Sequence, residues 1–95
     1  MRILGYDYKV ILTDAGALTD KSGVLDVGKQ EIRIDASLAS EQQISTLIHE
    51  VIEALSYHLE LKLKHPAIMG LEAGLYQCLR DNGVDLSVLL RGNAP

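Results

Sequence analysis

At 95 residues the chain buries about two thirds of the surface its unfolded form exposes, so one domain over 1–95 is expected and a second core is excluded. A hydrophobic share of 47% with no Phe or Trp leaves Leu, Ile, Val, Ala and four Tyr to fill that core. The net charge of -4, with Lys and Arg scattered along the chain, speaks against the broad basic face that nucleic acid requires.

Cys78 is the only cysteine, so no intrachain disulfide forms, and on the apolar side of a helix it reads as a small core residue. No signal-peptide pattern is visible, and no apolar run nears the roughly 18 residues a membrane span needs. The expected address is the cytoplasm, with no membrane partner.

Over 2–12, Leu4, Tyr6, Tyr8, Val10 and Leu12 alternate with Ile3, Gly5, Asp7, Lys9 and Ile11. This period of two, with one greasier face, predicts a half-buried strand. Asp14, Gly16, Asp20, Ser22 and Gly23 are turn formers and predict a loop with a short helical turn near 15–18. Two short strands follow at 24–27 and 31–35, joined by Gly28-Lys29-Gln30 with Gly28 free to take positive φ. The first region is thus expected to form a three-stranded antiparallel sheet.

Ser40-Glu-Gln-Gln43 has the spacing of a capping box and opens a helix expected over 41–60. Ile44, Leu47, Ile48, Val51, Ile52, Leu55 and Leu59 fall on one arc that packs on the sheet. His49, Glu53, Ser56 and Glu60 run along its border, where a cleft wall would stand. Pro66 suits the first position of a second helix, over 66–82, with His65 at its N-cap and Asn82-Gly83 as its stop. Ile68, Leu71, Leu75 and Leu79 mark its buried side. The segment 84–90 is a short amphipathic tail, and 91–95 is expected to fray. The resulting class is α+β, a small sheet packed on a two-helix hairpin.

The chemistry concentrates in Thr46-Leu-Ile-His-Glu-Val-Ile-Glu-Ala-Leu55. His49 and Glu53 are i and i+4, so they project from one face and can offer two ligands to one metal ion. Glu50 lies about 100° round the helix, placed to reach a water activated by that metal and to act as its general base. His-Glu-x-x-Glu differs by one residue from His-Glu-x-x-His, the helix signature of zinc-dependent peptidases. The carboxylate at 53 is an acceptable zinc ligand but makes the metal a weaker Lewis acid.

A third protein ligand must come from the second helix, and two residues qualify. In an antiparallel pair turning near residue 63, positions summing to about 126 face each other, which sets Glu72 opposite Glu53. Imidazole is the commoner ligand, and an N-cap His65 can fold back on the first helix if that helix ends near Tyr57. Glu72 then becomes the partner that orients His65. His58 lies on the far side from His49 and is expected to be solvated. Tyr57 and Tyr76 are candidates to stabilise an oxyanion.

The stretches Gly23-Val-Leu-Asp-Val-Gly-Lys-Gln-Glu-Ile-Arg-Ile-Asp35, Leu38-Ala-Ser-Glu-Gln-Gln43, Thr46-Leu-Ile-His-Glu50 and Gly74-Leu-Tyr-Gln-Cys-Leu-Arg-Asp-Asn82 occur in an order that resembles the small ImmA/IrrE-type, gluzincin-like metallopeptidases of phages and prophages. The resemblance spans roughly residues 20 to 83. It implies a minimal zincin-like fold, with Glu31 to Asp35 as an edge strand that aligns a peptide or protein substrate by strand addition.

It further implies His49 and residue 53 as ligands for zinc or another divalent metal, and Glu50 as general base. Position 53 is usually histidine in that family. The expected function is therefore a zinc-dependent metallopeptidase acting on peptide bonds. Its rival, which Glu53 favours, is a non-catalytic metal-binding or protein-interaction module of phage or prophage origin that retains the fold. A third possibility is a buried Glu53–His65 ion pair with no metal. The sequence leaves the oligomeric state undetermined.

Overall fold

A computed structural model describes residues 1–19 and 21–91. Asp20, expected as a turn former, lies outside the described residues, as do 92–95 of the end expected to fray over 91–95, while Arg91 closes a 3-10 helix. The elements are β1 (Arg2–Ile3), β2 (Tyr6–Asp7), β3 (Lys9–Thr13), β4 (Gly23–Asp26), β5 (Glu31–Asp35), α1 (Ser40–His58) and α2 (His65–Asp81). Short 3-10 helices cover Ala15–Leu18, as the turn formers suggested, and Leu86–Arg91 in the amphipathic tail.

The class is α+β, as expected, but the sheet differs in two ways. The single strand expected over 2–12 is broken, because Leu4 and Gly5 both take positive φ, 52° and 86°, and fold residues 2–7 into a two-residue hairpin. Only β3 continues into the main sheet. That sheet is mixed rather than antiparallel: its order is β3-β5-β4, with β3 parallel to β5 and β4 antiparallel to it. The segment 14–22 is long enough to carry the chain past one strand position. The strand with two fully buried isoleucines, Ile32 and Ile34, takes the centre. Glu31–Asp35 is therefore not the edge expected for it; β3 and β4 are the edges.

α1 is covered on two sides. Leu47 and Ala54 join Ile3, Tyr8, Ile32 and Ile34 against the sheet, while Ile48 and Ile52 meet Ile68 of α2. The helix begins and ends close to where the capping and stripe patterns put it, but Ser40 and Gln43 do not form a box. Ala39 is the N-cap without a side-chain cap, and Gln43 Nε2 donates to the carbonyls of Ala36 and Leu38, at 3.2 and 3.0 Å, pinning the incoming loop. Leu59 lies past the helix end and is exposed. In the β4–β5 turn it is Gln30, at φ 53°, that turns left-handed rather than Gly28.

α2 buries a narrower face than expected. Ile68 is buried and Glu72, Tyr76 and Leu79 are half-buried, whereas Leu71, Leu75 and Cys78 are exposed, so the packed line runs 68-72-76-79. Cys78 is thus not a core residue. No helix among the described residues is long and apolar enough to cross a membrane.

Candidate metal centre

His49, Glu50, Glu53, His65 and Glu72, singled out from the sequence as one constellation, all line a single cleft of about 720 Å³. Its floor is α1, through Thr46, His49, Glu50, Glu53 and Tyr57. One wall is the β4 edge with the residues before it, Lys21 to Leu25, and the other is the start of α2, through His65, Met69 and Glu72. A second hollow of about 410 Å³ shares Glu53 and Tyr57 with it and is lined also by Ser56, Lys62, Leu63 and Ile68.

His49 is the hub. Its Nδ1 lies 2.7 Å from Glu72 Oε1, and its Nε2 lies 3.6 Å from Glu53 Oε2, the i,i+4 partner on its own helix. Glu72 therefore faces His49 rather than Glu53. α1 stops at His58 and α2 starts at His65, so the connection is centred earlier than the one assumed. The early stop also brings the exposed His65 back over the floor, its ring centroid 5.5 Å from that of His49. The imidazole that Glu72 contacts is that of His49, not of His65, and no Glu53–His65 ion pair is found among the described residues.

Glu50 sits closer to the others than the helical angle suggested. One ligand atom from each of His49, Glu50 and Glu53 lies within 4.8 Å of the other two. Glu50 is only 5% exposed, because the β4 edge presses on it: a Cβ on Gly23 would meet Glu50 Oε2 at 3.3 Å and Thr46 Cγ2 at 2.5 Å.

This burial has an electrostatic consequence. The Glu50 carboxyl is pushed up from an ordinary 4.5 to about 8, first by burial, then by its hydrogen bond to Glu53 and by the Glu53 charge. Lys21, the one lysine or arginine among the cleft-lining residues, pulls it down by a smaller amount, and the Glu72 charge adds a small push upward.

The remaining sequence candidates separate. Tyr57 lines the cleft and is 61% exposed, whereas Tyr76 packs against the Ile48-Ile52-Ile68 cluster between the helices. His58 is not solvated as expected. The buried Tyr8 hydroxyl shares a hydrogen bond with its Nε2 at 2.6 Å and Tyr6 stacks on it at 4.2 Å, so it fastens the β1–β2 hairpin to the end of α1. Ser45 and Lys21 carry no expectation from the sequence, and Gly23 is expected there only as a turn former. Ser45 alone had a signal, since it precedes His49 by four residues and shares its face.

Comparison of the sequence with protein-family models, with curated proteins and with solved structures gives no match.

Proposed function

We propose that the chain is a small metal-dependent peptidase of zincin-like build, as its resemblance to the ImmA/IrrE-type enzymes implies, with its centre on the floor of the α1–β4–α2 cleft. The observation that carries this reading is the convergence of the His49, Glu50 and Glu53 ligand atoms within 4.8 Å of one another on an open cleft. The donor set fits a divalent cation. One imidazole and two carboxylates meet in a partly desolvated place, and the Glu50 carboxyl, raised first by burial and then by its hydrogen bond to Glu53 and the Glu53 charge, is one whose ionised form a cation would favour.

His49 and Glu53 would hold the metal from one helix face, and His65 would supply the third ligand from α2, where its ring stands 5.5 Å from that of His49. A divalent cation, if held there, would supply Lewis-acid polarisation of a carbonyl and would lower the pKa of a water to about 7. Glu50 accepts a proton at its carboxylate and returns it to the departing amine. Tyr57, at the rim, has a phenol to offer a developing oxyanion. The peptide extends along β4, which pairs on one side with β5 and presents its other edge beside the cleft. The hollow shared through Glu53 and Tyr57 receives a substrate side chain.

The test is the metal content and peptide-hydrolysing activity of protein purified without a histidine tag. Wild type is expected to carry about one divalent ion and to cleave a quenched peptide library. His49→Ala should lose both, and Glu50→Gln should lose cleavage while keeping metal. Equal, negligible metal in wild type and His49→Ala would overturn the site.

A second reading is supported by Glu53, which stands where the zincin motif has histidine: a non-catalytic metal-binding or interaction module that uses the same cleft. Metal uptake without cleavage in wild type, together with partner binding indifferent to Glu50→Gln, would favour it.

A further inference from the structure

His49 is gripped from behind by two residues that the peptidase reading leaves without a role. Glu72 spends both of its carboxylate oxygens inside the protein. Oε1 faces His49 Nδ1 at 2.7 Å, and Oε2 accepts a hydrogen bond from Ser45 Oγ. Ser45 and His49 are one turn apart on α1, so two residues of one helix close on a single carboxylate of the other. All three are shielded: His49 and Glu72 have side chains 15% and 16% exposed, and Ser45 is half-buried.

We infer that Ser45 and Glu72 are positioning residues that fix His49 in its Nδ1–H tautomer and so turn the Nε2 lone pair into the cleft. An ionised carboxylate only accepts, so the proton shared with Glu72 sits on Nδ1, and whenever the ring carries a single proton Nε2 is bare. Nε2 faces Glu53 Oε2 across 3.6 Å, too far for a good hydrogen bond. Two lone-pair donors facing each other at that spacing leave room for a cation between them. Glu72 thus acts through His49 instead of taking the ligand place that the sequence left open to it. Ser45 holds Glu72 and is not set up as a nucleophile, because its proton is directed to a carboxylate and not to an imidazole nitrogen. The consequence for metal affinity rests on the metal-centre reading; the tautomer does not.

The experiment has two arms. In metal-free, nitrogen-15-labelled protein near pH 8, a long-range proton–nitrogen spectrum should show a protonated Nδ1 and a bare Nε2 for His49. Glu72→Ala should shift the ring towards the Nε2–H form, and Glu72→Gln, whose amide oxygen still accepts, should keep the native tautomer. In the second arm, zinc titration should find affinity lowered about 10- to 100-fold by Glu72→Ala, less by Ser45→Ala, and abolished by His49→Ala. Circular dichroism checks that each variant folds. If Glu72→Ala does not fold, Glu72→Gln and Ser45→Ala carry the comparison.

An Nε2–H ring or a doubly protonated ring in wild type overturns the inference, as does a Glu72→Ala protein that loses zinc as completely as His49→Ala. Wild type that binds no zinc but shows the Nδ1–H ring overturns the metal reading and leaves the positioning intact.

Discussion

Gly23 and Glu50 are in contact across the seam between β4 and α1: a methyl group added to Gly23 would stand 3.3 Å from Glu50 Oε2, 3.2 Å from the Arg33 carbonyl and 2.5 Å from Thr46 Cγ2. The glycine is needed for close approach, since its φ is not in the left-handed region. Gly23→Ala should therefore destabilise the fold by about 1–3 kcal/mol, the usual cost of overpacking. Urea unfolding measures this. Adding Thr46→Ser, which deletes the nearest atom, should restore part of the loss. A Gly23→Ala protein as stable as wild type would mean that β4 does not press on α1.

The raised Glu50 carboxyl sets a pH window for the metal-free protein. The folded state keeps the proton up to about pH 8, while the unfolded chain releases it near 4.5, so between these values the folded state binds more protons. Stability then falls as pH rises through the window, and this group contributes a slope of about 1.4 kcal/mol per pH unit. Glu50→Gln removes that contribution and should flatten the profile. Denaturant midpoints from pH 5 to about pH 9, for both proteins, test the sign.

Zinc should reverse the effect. A dication beside Glu50 favours the charged carboxylate, so uptake near pH 7 releases the Glu50 proton. Calorimetric titrations in buffers of different ionisation enthalpy should count about one proton more for wild type than for Glu50→Gln. Ligand binding to the folded state should also raise Tm with zinc concentration, and His49→Ala should abolish that rise.

Ile68 and Leu71 read alike in the sequence, as two apolar residues on one presumed face, yet the structure separates them. Ile68 is 4% exposed between the helices and Leu71 is 45% exposed. Ile68→Ala should cost about 2–4 kcal/mol, whereas Leu71→Ala should stay within about 0.5 kcal/mol of wild type. Thermal or chemical unfolding of the two variants decides the face.

What the sequence made legible was periodic or local. The α1 stripe, the Pro66 start of α2 and the i,i+4 pair His49 and Glu53 all follow from helical spacing, and the five chosen site residues do share one cleft. What it hid was tertiary. Period two over 2–12 looks the same whether or not residues 4 and 5 turn left-handed, and nothing local distinguishes a three-strand meander from the order in which β5 slips between its neighbours. His58 looked solvated because a helical projection cannot show Tyr8, fifty residues earlier, reaching it. Which residue of α1 meets Glu72 depends on where the connection turns, and a small shift of that point sets it against His49 in place of Glu53.

The inserted position of β5 also bears on how the molecule is assembled. β4 and β5 meet across a tight turn, so their pairing closes a small loop and is fast, while β3 must find β5 after the whole intervening segment has been laid down, at a larger entropic cost. The expected sequence of events is an early hairpin that collapses onto α1, followed by late zippering of β3 along its far side. The wall that borders the acidic cleft would then stand before the opposite margin of the sheet exists, and weakening β3 would slow the closing step of folding while leaving that wall in place.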